Sequence, residues 1–403
     1  MRLNKIVIIS HALVDEVNRK RWELLAKDFN YEVHLLIPDY WESNWFGQIV
    51  QYRKIEERVG NFYIHPMPVT NNRNWARYLF VSLDIKLISL KPDLIYVVHE
   101  ENKLIHLQVS LYRYLWTKNA KVIFFSMNGR GVPQKNIFQI LLWSNIRKYT
   151  DAAIVHYPGC HKSLRDANYR KPIYLQTQIG VDDNLFFPDE IARKKIRVEL
   201  GIKDSFVIGF AGRLIGDKGV DDLVEVFHSL KDDIFLLLVG NGELRDSIEK
   251  RARVEGWSHR LHITGFVEQK DVPLYMNAMD LFVIGSKTFP HWIDTFPLVS
   301  VQAQACGVPV LSSDSASLPW QLGDTALFYS EGKRSELKNK ISLLIDDAGL
   351  RKRLGNEGLK RSLDLFCIPR MNLSFHLIAQ QVLNAKTEYH SDSEPYTQWK
   401  AYR

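Results

Sequence analysis

The sequence is poor in cysteine, holding three in 403 residues, and Cys160, Cys306 and Cys367 lie too far apart for a disulfide framework or a zinc site. That scarcity points to a reducing compartment. No apolar run approaches the roughly 18 to 20 residues needed to cross a bilayer, so any membrane contact is expected to be peripheral. The apolar stretch Ile6–Ile9 is too short for a signal-peptide core and reads as a first strand. Acidic residues are scarce in the first half: residues 1–185 hold 17 Asp/Glu against 25 Lys/Arg, whereas 186–403 hold 29 against 28. The net charge of +7 therefore sits in the first half, where it would suit an anionic membrane or an acidic acceptor. No helix-turn-helix, zinc or base-stacking motif accompanies it, which speaks against nucleic acid.

A chain of 403 residues exceeds what one hydrophobic core organises, so two domains are expected. Its 46% hydrophobic and 25% charged content is that of a soluble globular protein and leaves little room for disorder. Short β-branched runs, each followed by a turn or a helical pattern, occur at Lys5–Ile9, Glu32–Ile37, Leu94–Val98, Val122–Phe125 and Ala152–Val155. A second series occupies Phe206–Phe210, Phe235–Val239, Leu261–Ile263, Leu281–Ile284 and Val308–Leu311. Such alternation predicts two doubly wound parallel α/β sheets. Residues 1–186 and 187–369 are the expected domains, with a terminal segment, 370–403, whose helix returns to the first and whose polar tail is loosely held.

The segment from Val207 to Gly219 reads as a buried strand running into a glycine-rich loop, with a helix opening near Val220. Ligands of open α/β sheets bind at the carboxyl ends of the strands. Glycines allow the backbone to approach a phosphate, the helix offers unpaired N–H groups, and Arg213 and Lys218 would add charge-assisted hydrogen bonds to a diphosphate. A glycine turn flanked by two surface cations is the plainer alternative. The loop is followed in order by Val239-Gly240-Asn241-Gly242, Thr264-Gly265-Phe266-Val267, and Phe296-Pro297-Leu298 leading into Gln302-Ala303-Gln304-Ala305-Cys306-Gly307. This series, with Ile179-Gly180-Val181-Asp182 before it, resembles the family-four retaining glycosyltransferases, the glycosyl transferases group 1.

The resemblance implies a GT-B fold: two Rossmann-like doubly wound parallel-sheet domains facing a central cleft, with a C-terminal helix crossing back to the first. It implies that Arg213 and Lys218 hold a donor diphosphate, with Gly212 shaping the loop, Val267 near the nucleobase, and the Leu298 and Val299 amides near the phosphates. The family's paired carboxylates fall on Asp294 and Gln302. Asp294 keeps the charge with a shorter reach, while Gln302 trades a carboxylate for an amide with a single acceptor oxygen. Asn128 stands where many members carry a histidine near the donor sugar, and it cannot exchange protons near neutral pH. The chain contains no Asp-x-Asp pair, and two fixed cations can stabilise a departing phosphate without a metal or any cofactor.

The acceptor half is less legible. His99, Glu100 and Glu101 end a strand where acid–base or sugar-binding groups would be useful, and His11 follows the first strand. A solvated strand end and a loop histidine are the competing readings. The stretch 135–148 is apolar on nearly every side with basic ends, which predicts a buried core helix, docking on lipid headgroups being the other reading. The expected protein is a hexosyltransferase-type enzyme moving a sugar from a nucleoside-diphosphate donor to a glycan or lipid-linked glycan in surface polysaccharide assembly. It would be cytoplasmic, with possible peripheral contact at the inner face of the plasma membrane. A catalytically silent module that binds a nucleotide, a glycan or a partner enzyme is the alternative, motivated by Asp294, Gln302 and Asn128.

Overall fold

A computed structural model describes residues 4–384 apart from 46, 47, 54, 55, 75, 118, 135, 203, 232, 290 and 291; the tail from 386 onward, expected to be loosely held, lies outside the described residues. The chain forms two compact units, residues 1–179 with 369–403, and residues 180–368. In each, buried apolar strands form a parallel sheet sandwiched between helices, so the strands read as continuous hydrophobic runs.

The first unit holds an eight-stranded sheet. From one edge it runs Ile173–Leu175, Ala152–Val155, Lys121–Ser126, Leu94–Val97, Lys5–Ile9, Glu32–Pro38 and Phe62–Met67, ending on Glu57–Val59, the one antiparallel member of this sheet. Lys5–Ile9 is central, with Ile6 opposite both Val33 and Leu94. The connection from it to Glu32–Pro38 runs one way and the later strands build the other way, so the strand order reverses between Lys5–Ile9 and Leu94–Val97.

The second unit holds six parallel strands, in order Leu261–Ile263, Ile234–Val239, Phe206–Ala211, Leu281–Ile284, Val310–Ser313 and Ala326–Tyr329. Numbered along this unit, the order is 3-2-1-4-5-6, the Rossmann arrangement, with its reversal between Phe206–Ala211 and Leu281–Ile284. The charged stretch after Pro188 is the helix Glu190–Glu199, whose N-cap Asp189 accepts from the Ile191 and Ala192 amides.

The division falls at Gly180, not at 187, for a structural reason. The Val181 amide donates to Phe366 O at 2.8 Å, the Ile368 amide donates to Val181 O at 2.9 Å, and Phe186 is fully buried. The segment before Pro188 is thereby built into the second unit. The final helix, Ile368–Asn384, completes the core of the first unit. Its Phe375 ring lies 5.1 Å from Trp22 and 5.4 Å from Tyr96, and Asn372 Nδ2 donates to the Arg21 carbonyl at 2.7 Å.

One expectation is corrected. The helix Ile137–Tyr149 is buried through Leu142, Trp143 and Ile146 only, while Ile137, Phe138 and Leu141 face solvent. A helix on the outside of an α/β sheet has one neighbour layer, so it can bury one face however apolar the other is.

Truncating the ring that joins the final helix to the first unit, Phe375→Ala, is expected to cost about 3 to 5 kcal/mol, the range for a buried Phe. Urea unfolding followed by fluorescence should show the loss as a lower midpoint.

Candidate active site

At the reversal point of the second sheet, two loops meet almost backbone to backbone. Gly219 has φ +67°, and a Cβ there would lie 2.0 Å from Gly285 O. Only a residue without a side chain lets the loop after Phe206–Ala211 touch the end of Leu281–Ile284. The short turn Gly216–Lys218 and the helix Val220–His228 follow directly. A second close approach supports the loop from behind: a Cβ on Gly240 would meet Gly212 O at 1.9 Å, and the Leu214 amide donates to Asn241 O at 2.9 Å. The Gly240-Asn241-Gly242 turn is thus the bed on which the candidate phosphate loop rests.

Arg213 is exposed on this loop; its carbonyl accepts from the Ile215 amide at 3.0 Å, and its guanidinium makes no hydrogen bond or ion pair among the described residues. Lys218 is held instead. Its Nζ lies 2.5 Å from Asp294 Oδ2 and 4.8 Å from the centre of the Trp292 ring. Asp294 is buried, and its Oδ2 also accepts from Ser286 Oγ at 2.8 Å while its carbonyl accepts from Ser317 Oγ at 3.2 Å. The ammonium therefore sits in a cradle of one carboxylate and one aromatic face.

Next to it the helix Leu298–Ala305 begins after Pro297, with Leu298 and Val299 in its first turn, where backbone N–H groups lack an intrahelical partner. Gln302, one turn further along, is buried. Val267 lies partly buried beyond Gly265, which has φ +74°, and its neighbour Phe266 is exposed. Gly212, Arg213, Lys218, Asp294, Leu298, Val299 and Gln302 thus come from loops and a helix start in one unit, and Ser286 and Trp292 join them. Sequence reasoning missed those two, although Ser286 follows a predicted strand at the reversal point.

In the first unit, the reversal point is lined by rings. His11 stacks on His99 with centroids 5.0 Å apart, and Trp41 and Tyr78 close in at 5.0 and 5.8 Å from His11. His99 is buried and shares a 2.5 Å hydrogen bond with the Tyr78 hydroxyl. Burial, with the nearby Lys103 charge, lowers the His11 pKa to about 4, and burial holds His99 well below its ordinary value. Both imidazoles are neutral at pH 7, fit for hydrogen bonding and not for donating a proton as imidazolium.

Glu100 is partly buried and pairs with Lys103 Nζ at 3.1 Å. Glu101 is buried, and its carboxylate oxygens make no hydrogen bond of ordinary geometry among the described residues. Burial, reinforced by the charge of Glu100, pushes its pKa up to about 7. Asn128 spends its side chain on its own loop: Nδ2 donates to Gly131 O at 2.9 Å and Oδ1 accepts from the Arg130 amide at 3.1 Å. The structure thus gathers His11, His99, Glu100 and Glu101 at one sheet edge, and Asn128 shapes a loop at the end of a nearby strand.

These two Rossmann-like units define the fold as GT-B. Sucrose-phosphate synthase from Thermosynechococcus elongatus shares it with a TM-score of 0.72 at 18% identity, over 95% of this chain and 100% of that one. Anabaena HepE in complex with UDP shares it with a TM-score of 0.71 at 15% identity, over 94% and 100%. Identities this low establish the fold alone. Residues 192–361 match the sequence model of the family glycosyl transferases group 1. The capsular polysaccharide biosynthesis glycosyltransferase CapM of Staphylococcus aureus is 29% identical over 165 residues, 40% of this chain and 42% of CapM. The chain spans from 38% to 58% of the length of the first curated relatives it matches.

Glu101 supplies a pH test. Its pKa rises from an ordinary 4.5 in the unfolded chain to about 7 in the folded one. The folded state then binds more protons between those values, so stability falls as pH rises through them. The full penalty above pH 7 is on the order of 3 kcal/mol. Glu101→Gln removes the ionisation, so its melting temperature relative to the parent should climb between about pH 5 and about pH 8. Thermal scans showing a constant gap would mean that the carboxyl is ionised throughout.

Proposed function

We propose that the chain is a retaining, metal-independent glycosyltransferase of the hexosyl class. It would move a sugar from a nucleoside-diphosphate sugar to a glycan or lipid-linked glycan acceptor in surface polysaccharide biosynthesis. The observation that carries this reading is an exposed guanidinium, Arg213, without a partner among the described residues, on the same loop as the cradled ammonium of Lys218 and beside the start of the helix Leu298–Ala305. Two cations and a helix N-terminus at a sheet reversal point suit a diphosphate. HepE was solved with UDP, and CapM is named for capsular polysaccharide biosynthesis, and both support the same donor and setting.

In the proposed reaction the bond from the anomeric carbon to the β-phosphate oxygen breaks, and negative charge grows on that oxygen. Arg213 can meet it with two parallel N–H donors and Lys218 with a point charge. Both are in place before the bond breaks, which is what makes such stabilisation effective. The acceptor hydroxyl oxygen forms its bond to the anomeric carbon from the face the phosphate leaves, and its proton passes to the departing phosphate oxygen. That route asks for no charged protein base, in keeping with neutral His11 and His99 and with Asn128 engaged in its own loop. His99, Glu100, Glu101 and His11 are assigned to the acceptor side, and Val267 and Gln302 to the nucleoside. Nothing in this chemistry needs a cofactor. Among the described residues no helix is long and apolar enough to cross a membrane; the proposed location is the cytoplasm, at the inner face of the plasma membrane.

Arg213→Ala should lower turnover at least about a hundredfold, the usual cost of losing one preorganised oxyanion donor. The Arg213 side chain holds no other group among the described residues, so the melting temperature should be unchanged. Release of nucleoside diphosphate from a panel of donors measures the rate, and near-normal release would remove the assignment. Gln302 offers the ribose one acceptor oxygen where a carboxylate offers two. Gln302→Glu should therefore sharpen preference for ribose over 2′-deoxyribose donors by about five- to tenfold, the worth of one hydrogen bond. Competition between UDP-glucose and dUDP-glucose, which differ only at the 2′ position, reads that ratio.

A further inference from the structure

The helix Ile137–Tyr149 carries two apolar faces. Leu142, Trp143 and Ile146 fill the core, and Ile137, Phe138 and Leu141 point outward with exposures of 71%, 51% and 60%. The neighbouring helix Ile105–Leu115 repeats the pattern at its end, where Leu111, Leu115 and Trp116 are all more than half exposed. The two helices pack side by side: Arg113 Nη1 donates to Tyr149 O at 2.7 Å, and the Tyr114 and Tyr149 rings lie 6.1 Å apart. Large aliphatic and aromatic side chains left in water on adjacent helices mark an interaction surface.

Charge narrows the occupant. Residues 104–150, which include both helices, contain seven Lys/Arg and no Asp or Glu. Arg113 is neutralised by Asp151. Arg147 and Lys148, in the last turn of Ile137–Tyr149, have no acidic partner among the described residues. A second copy would bring like charges together across a two-fold axis. An anionic bilayer, by contrast, accepts apolar side chains into its acyl boundary and basic side chains among its headgroups.

We propose that the outer faces of Ile105–Leu115 and Ile137–Tyr149 dock the protein on an anionic phospholipid surface, with Phe138 and Leu141 inserted and Arg147 and Lys148 on the headgroups. This deepens the peripheral location proposed above. It does not depend on the sugar chemistry, so each can fail alone.

The test is co-sedimentation of the full chain with vesicles. Binding to phosphatidylcholine containing about 30% phosphatidylglycerol should exceed binding to pure phosphatidylcholine at least about tenfold, and should weaken as salt rises. Phe138→Glu with Leu141→Glu should reduce binding by a similar factor while leaving the melting temperature and donor hydrolysis intact, because both side chains are already in water. Arg147→Glu with Lys148→Glu is a second variant that should act in the same direction without touching the apolar face. Any of three results overturns the proposal: no binding to anionic vesicles, equal binding by parent and both variants, or a dimer in solution that the Phe138→Glu, Leu141→Glu variant dissolves.

Discussion

The contact on which the candidate site depends is one between two stretches of backbone, with no side chain in it. Where Gly219 meets Gly285, any Cβ would penetrate a carbonyl oxygen, and the same holds where Gly240 meets Gly212. These approaches bring the loop after the first strand of the second sheet down onto its neighbours at the point where the strand order reverses. The loop's two cations are thereby held on rigid supports, and a site held this way needs little reorganisation when charge develops on a ligand. Glycine spacing and charge placement are two aspects of one requirement.

Electrostatically the two units are unlike. In the second, the Arg213 guanidinium has no partner among the described residues and Lys218 is tethered by Asp294, so the loop keeps its shape without an anion while one full charge remains available. In the first, burial suppresses charge: His11 and His99 stay neutral and Glu101 has its pKa raised to about 7. On the proposed reading, neutral sugar hydroxyls meet the neutral imidazoles of the first unit and a diphosphate meets the cations of the second. The shortened carboxylate at Asp294 takes a concrete meaning in this setting, since it reaches a lysine and a serine on neighbouring loops.

Much of the fold was legible in the sequence because buried parallel strands announce themselves as β-branched runs. Lys5–Ile9, Ala152–Val155, Leu261–Ile263 and Leu281–Ile284 match their predicted bounds. Phe62–Met67 escaped notice because His65 and Pro66 interrupt its apolar pattern, and the short edge strand Ile173–Leu175 because edges need little apolar sequence. Around the candidate site, Arg213 and Lys218 were visible through their glycines. Ser286 and Trp292 were not, since each matters only through a partner distant in sequence. The helix Ile137–Tyr149 misled for a related reason, because periodicity tells which residues are apolar and not how many faces have a neighbour.

The sequence by itself determined the α/β class, the two-sheet plan, the glycine-rich loop and the identity of its cations, because each is set by residues close together along the chain. Only the tertiary structure decided where the second unit begins, which charge is tethered and which is free, that Asn128 serves its own loop, and that an apolar helix face is left in water. Those outcomes depend on distances between side chains far apart in the sequence and on which surfaces lie against other layers, and local order of residues carries no record of either.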